Sequence, residues 1–159
     1  MIRVQREDFD PGRELAALTA GRIDIGGTVS FVGLVREMTG TDSAGAIRAM
    51  TLEHYPGMTE KMLGAIEDEA RRRWPLADSL IVHRYGHLRP GDRIVLVITA
   101  SVHRAAAFEA NMFLVDWLKT KAPFWKQEDT AAGTQWVAAR AEDDAAAARW
   151  RKRGDEAAE

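Results

Sequence analysis

The chain contains no cysteine, which excludes a disulfide, a thiolate metal site, a thiol nucleophile and a persulfide carried by the protein itself. Any sulfur chemistry must draw its sulfur from another molecule. No apolar run approaches the length of a membrane span, and the N-terminus, Met1-Ile2-Arg3-Val4-Gln5-Arg6-Glu7-Asp8, lacks the apolar stretch of a signal peptide. A cytoplasmic protein with no membrane partner is expected. Neither sign of charge dominates, since 22 basic and 24 acidic residues leave a formal net charge of -2. That balance argues against a general nucleic-acid binder while allowing local basic patches. The Gly26-Gly27 pair lacks the spaced glycines and following Lys-Ser/Thr of a phosphate loop, and no Gly-x-Ser-x-Gly elbow occurs. His83 and His87 are four apart, but Gly86 spoils the helix that would bring them together, so no metal site is expected. There is no internal repeat and no linker long enough to divide domains.

What is present is the composition of an ordinary folded domain, 159 residues of which 46% are hydrophobic and 29% charged, enough chain for a real core. Residues 1–159 read as one domain, with a core of about 28–137 and an acidic tail of about 140–159. Ile2 to Arg6 alternates as a short strand, and Asp10-Pro11 opens a helix as N-cap and first helical residue. Thr28 to Arg36 reads as a strand, Glu37 to Gly45 as a loop, and Ala46 to Tyr55 as a strand again. Pro56-Gly57 turns the chain into a helix from Met58 to Trp74. Its stripe of Met62, Leu63, Ile66, Ala70 and Trp74 faces a sheet, with Glu67, Asp68, Arg71 and Arg72 towards water. Leu80 to Gly86 is the next strand, Arg89-Pro90-Gly91-Asp92 a turn, and Arg93 to Ala100 a central strand of continuous apolar character. A helix then runs from Ser101–Arg104 towards Lys121, with Phe108, Met112, Val115 and Leu118 on its inner side. Phe124 to Glu128 and Gln135 to Ala138 pair as a hairpin. Beyond Arg140 the composition is helical, with Trp150 its main apolar residue. Strands and helices alternate without βαβ spacing, which gives α+β: a mixed or antiparallel sheet with packed helices.

The stretch from Trp117 to Glu128 turns on Pro123, which stops the helix and lets a strand begin. Lysines flank this corner among Trp117, Phe124 and Trp125. A lysine that acts as a base near neutral pH needs apolar walls or neighbouring cations. Lys119 and Lys126 are therefore candidates for chemistry. The same residues suit a structural reading, cations at the carbonyl end of a helix beside core aromatics, and Lys121 fits that reading best. Ser101-Val102-His103-Arg104 lies where the central strand gives way to a helix, and helix amides there attract anions. Arg104 offers a fork for phosphate or carboxylate, and His103 exchanges a proton near neutral pH; alternatively His103 caps the helix and Arg104 is solvated. Arg36, at the mouth of a strand, is either another anion ligand or a surface arginine. Glu53-His54-Tyr55-Pro56-Gly57-Met58 reads as a turn that caps the following helix. Two other functions fit the corner. Interleaved aromatics and bases suit a non-catalytic groove for single-stranded nucleic acid, and a lysine of depressed pKa suits Schiff-base chemistry.

Longer motifs carry a resemblance. Leu52 to Lys61 (LEHYPGMTEK), Glu69-Ala70 with Arg73-Trp74-Pro75, His83-Arg84, Ser101 to Arg104, Ala107-Phe108 and Leu118 to Lys126 closely resemble the large, catalytic subunit of molybdopterin synthase, over about Thr28 to Val137. The resemblance implies an α/β hammerhead type of fold and an enzyme that converts cyclic pyranopterin monophosphate into molybdopterin by installing two dithiolene sulfurs. It implies that the sulfur arrives as a C-terminal thiocarboxylate on a small ubiquitin-like carrier subunit, and that two large subunits form a homodimer inside a heterotetramer. Carried over by motif, Lys119 and Lys126 are the catalytic lysines. Arg36, His103 and Arg104 line a substrate pocket that two large subunits share, with no cofactor of its own. The absent cysteine is then expected. One stretch departs from the family: after Arg36 an Asn-containing loop is common, whereas here Glu37-Met38-Thr39-Gly40-Thr41-Asp42-Ser43 follows.

Overall fold

A computed structural model of the chain describes residues 1–36, 47–120, 122–130, 133–137 and 149–150, with the backbone alone at 47–48, 130 and 134–137. The altered loop after Arg36, Lys121 and most of the acidic tail lie outside the described residues. The elements are β1 (Ile2–Gln5), α1 (Pro11–Thr19), β2 (Gly27–Leu34), β3 (Ile47–His54), α2 (Met58–Arg73), β4 (Leu76–Arg84), β5 (Gly86–Leu88), β6 (Arg93–Ser101), α3 (Arg104–Thr120), β7 (Phe124–Thr130) and β8 (Gly133–Val137). They form two four-stranded sheets, ordered β1-β4-β6-β2 and β5-β3-β7-β8. The first is mixed, because β1 runs parallel to β4 while β6 is antiparallel to both β4 and β2. The second is antiparallel. The class is the expected α+β.

Local chemistry sets several boundaries. Asp10 Oδ1 accepts from Arg13 N at 3.0 Å and starts α1. The turn before α2 caps it as expected: Glu60 Oε2 accepts from Gly57 N at 2.6 Å and Thr59 Oγ1 from Tyr55 N at 3.1 Å. The run expected as one strand to Gly86 is divided instead. Gly86 takes φ of 92°, a conformation that suits glycine, and there the chain leaves the first sheet as β4 and enters the second as β5.

The first sheet is covered on both faces, which explains its continuous apolar strands. On one side α2 and α3 pack Leu63, Ile66, Ala70, Phe113 and Leu114 against Ile81 and Val97. On the other, α1 lays Leu15 and Leu18, with Phe9, over Leu80, Val82, Leu96 and Ile98. Strand alternation sends successive residues of β4 and β6 to opposite cores. The second sheet has its own cluster, with Val35, Met50, Leu52 and Leu88 at its centre.

Two expected faces are corrected. On α3, Phe108 and Met112 are 58% and 48% exposed, and the inner side is Ala106, Ala107, Ala110, Asn111, Phe113 and Leu114. Small residues let the helix approach β2 and β6 closely. Asn111 then uses its Nδ2 to donate to the carbonyls of Val29 and Val97, each at 3.1 Å, so a polar residue belongs to the buried face. On α2, Glu67 is buried rather than solvated. Its Oε1 accepts from the N-terminal amine and from Ser79 Oγ, each at 2.5 Å, and from Arg71 at 3.2 Å. Burial pushes its carboxyl up, yet these donors together hold it below the ordinary carboxylate range.

Candidate active site

The junction between β6 and α3 is built by close backbone contact. Gly26 N donates to Ser101 O at 3.0 Å, and a Cβ on Gly26 would lie 2.1 Å from the Val102 carbonyl oxygen. Gly26 thus makes room for the turn that presents His103 and Arg104. Both side chains are exposed at the N-terminus of α3, where free amides and the helix dipole favour an anion. From there α3 runs back along the sheet: Ala107 O accepts from Thr99 Oγ1 at 2.7 Å, and Asn111 reaches Val97. Continuing at about 1.5 Å per residue brings Lys119 level with the start of β6, roughly 24 Å from His103.

That second end gathers the other candidates. Leu34 is in register with Arg93 at the start of β6, and Arg36 follows, held beside the turn by Val35 N to Asp92 O at 2.9 Å and Gly91 N to Val35 O at 2.7 Å. Lys126 pairs in register with Leu52, and Leu52 with Gly86, just past the end of β4. Arg36, Lys119 and Lys126 therefore belong to one end of the molecule, and His103 and Arg104 to the other. One chain does not bring all five together. Instead α3 exposes Arg104, Phe108, Met112 and Lys119 along one side, charged at both ends and apolar in the middle, with Ala105 and Glu109 exposed beside them.

The lysine corner is tight, with Phe124 N donating to Ala122 O at 2.8 Å. Past it, strand alternation separates the side chains. Phe124, Lys126 and Glu128 share one face, and Lys126 forms an ion pair with the buried carboxylate of Glu128. Trp125 points the other way, 54% exposed, edge-on to Tyr55 at 6.4 Å between ring centres. Along β7, Phe124 shares the face of Lys126 and Trp125 does not, so the interleaving that suggested a nucleic-acid groove is divided between two faces. Trp117 packs edge-on against Phe113 in the core.

Sequence reasoning gave three residues no role at this corner. Glu128 was legible, two positions past Lys126 on a strand and hence on its face. His54 and His83 were not. They come from β3 and β4 and meet only in the fold, where His83 stacks on Phe124 and His54 lies tilted against Tyr85. His83 is buried while His87 is exposed on β5.

Comparison with known proteins gives this arrangement its context. A family model described as the MoaE protein matches residues 4–121. The molybdopterin synthase catalytic subunit of Ralstonia nicotianae is 56% identical over 149 residues, covering 94% of this chain and 83% of the relative; similarity thus extends beyond the 28–137 core. The solved molybdopterin biosynthesis MoaE protein of Burkholderia ambifaria MC40-6 superimposes with a TM-score of 0.80 at 53% identity, covering 94% of this chain and 97% of that one. More remotely, the fold matches a chain from the complex of subunits 1 and 2 of the molybdopterin-converting factor of Helicobacter pylori 26695, with a TM-score of 0.71 at 19% identity, over 87% of this chain and 91% of that one. On family match, near full-length identity and shared fold, the chain belongs to the MoaE family.

Proposed function

We propose that this chain is the catalytic subunit of a molybdopterin synthase, a sulfurtransferase of the cytoplasm. Its substrate is cyclic pyranopterin monophosphate, and its sulfur comes from the C-terminal thiocarboxylate of a small ubiquitin-like carrier subunit. The observation that supports the reading is that Arg36, Lys119 and Lys126 belong to one end of a chain so similar to such subunits. Substrate phosphate and thiocarboxylate are both anions, and a cationic site lowers the cost of holding them together.

In this reading the thiocarboxylate sulfur attacks a carbon of the pterin side chain, the new carbon–sulfur bond replacing a carbon–oxygen bond at that carbon, and Lys119 gives a proton to the departing oxygen. Water then adds its oxygen to the carrier's carbonyl carbon. The bond from that carbon to sulfur breaks, so the carrier leaves as a carboxylate and the sulfur stays on the substrate. Lys126, oriented by Glu128, neutralises charge on the thiocarboxylate or its carbonyl oxygen. Arg36 closes over the substrate. His103 and Arg104 hold the phosphate, and because they lie at the far end of α3 they reach the lysines only from a second copy of the chain. The exposed Phe108 and Met112 stripe, midway between the two ends, is where two copies would meet about a twofold axis.

Reconstitution tests the reading: purified protein, thiocarboxylated small subunit and cyclic pyranopterin monophosphate, with dithiolene product assayed beside Lys119→Ala. Product is expected from the unaltered chain and a loss of about a hundredfold or more from the variant. A stable complex with the small subunit that makes no product would overturn it.

A further inference from the structure

The lysine strand is fastened to the rest of the molecule by a seam of four rings. Phe124 and His54 are register partners across β7 and β3, and each rests on the 83–85 stretch that leaves the other sheet. Phe124 lies nearly flat on His83, with ring centres 3.7 Å apart and planes at 15°. His54 sits 4.1 Å from Tyr85. The outside of the seam is closed by charge, with the Arg6 guanidinium 4.8 Å from the centre of the Tyr85 ring and Glu60 Oε1 3.8 Å from His54 Nε2. His83 itself is 7% exposed, and its Nδ1 lies 2.9 Å from the Arg84 carbonyl oxygen. A carbonyl only accepts, so Nδ1 carries the hydrogen. Burial, opposed by that hydrogen bond and reinforced by His54, pushes the imidazole down to about 4. The ring is neutral under ordinary conditions and takes no part in the chemistry proposed above.

Its placement nevertheless bears on that chemistry. Phe124 is the first residue of β7, and Lys126 stands two positions on, on the same face. The β3 ladder sets the register of β7, and whatever fixes the Phe124 ring helps to fix the direction in which β7 leaves the Pro123 corner. We propose that His83 is a positioning residue for Lys126: its flat stack on Phe124 pins the start of β7 and so holds the Lys126 ammonium against Glu128 at the Lys119 end of the molecule. This rests on the sulfurtransferase reading for its effect on rate, but not for its effect on the lysine. A plain core residue would be replaceable by any side chain of similar volume. A positioning residue needs a planar ring.

The experiment compares His83→Leu, which removes the stack, with His83→Phe, which keeps it, each in the reconstituted complex with the small subunit. Thermal unfolding is measured alongside. Because a small misplacement of a catalytic group costs rate more than binding, His83→Leu is expected to lower kcat about tenfold with KM for the pterin changed less than about twofold. His83→Phe should recover the rate to within about twofold. In parallel, lysines are labelled by 13C reductive methylation and the Lys126 resonance is assigned by its absence in Lys126→Arg. That resonance should move in the Leu variant and stay in the Phe variant. Should His83→Leu fail to fold, Phe124→Leu removes the same stack from the other side. Wild-type kcat and an unmoved Lys126 resonance in the Leu variant would overturn the proposal, as would Phe and Leu variants impaired equally in proportion to their lost stability. If the unaltered chain makes no product, the sulfurtransferase reading fails, and the Lys126 resonance alone decides for or against the seam.

Discussion

At Lys126 the alternation of a strand matters more than the richness of its neighbourhood. Phe124 and Glu128 share its face and Trp125 does not, so the lysine has one apolar neighbour and a buried counter-ion on the strand itself. Breaking such a pair leaves the buried member uncompensated. Lys126→Met is therefore expected to destabilise the fold by about 1–3 kcal/mol, and adding Glu128→Gln should return part of that loss; urea unfolding of the three variants checks it. His83 gives a second prediction through pH. The folded protein keeps it neutral down to about 4, whereas an unfolded histidine takes its proton near 6.5. Between those values the unfolded state binds more protons, so stability rises with pH across that window and is lost on acidification through it. Thermal unfolding from pH 7 to 4 should show the loss in the unaltered protein and a smaller one in His83→Phe. His54, Glu60, Arg6 and Arg84 surround the seam in both proteins.

Among the elements, α3 separates two tasks by face. Its alanines and Asn111 approach the sheet, and its large apolar residues Phe108 and Met112 are left outside. Of the four residues expected inside, Val115 and Leu118 pack on the core while Phe108 and Met112 do not, because the close approach to the sheet is made by small side chains and a hydrogen-bonded amide, with Phe113 and Leu114 supplying the bulk. The last turn of α3 also receives the tail. Trp150, 3% exposed, stands edge-on to Trp74 and Phe113 at 5.7 and 5.6 Å. Its indole Nε1 donates to Asp116 Oδ2 at 2.7 Å, and Arg73 Nη1 donates to its carbonyl at 2.9 Å. The single aromatic of an otherwise sparse tail is thus a core residue. Trp150→Ala should cost about 3 kcal/mol and lower the unfolding temperature by roughly 6 to 12 °C, measured by calorimetry.

For the whole molecule, the decisive feature is the length of α3, which keeps the two groups of candidate residues at opposite ends of one chain. A shared pocket makes a quantitative expectation. Mixing Lys119→Ala protein with Arg104→Ala protein, after dissociation and reassociation, yields mixed pairs in which one pocket is intact and the other doubly altered. About half of random pairs are mixed, so about a quarter of full activity should return, although each variant alone is inactive. Activity that stays at the level of the separate variants, in a preparation shown to contain mixed pairs, would mean that each pocket is made by one chain.

The order of strands and helices, the capping turn before α2, the strand-to-helix junction at His103 and Arg104 and the proline corner between Lys119 and Lys126 were all legible from residues close together in the chain. Propensity, periodicity and turn chemistry act over a few positions, and the family motifs are contiguous stretches of the same kind. The division of the strands into two sheets at Gly86, the outward turn of Phe108 and Met112, the burial of Glu67 and the stacking of His83 on Phe124 depended on partners tens of residues away. Which face of an element is covered is decided by what packs against it, and only the tertiary structure supplies that neighbour.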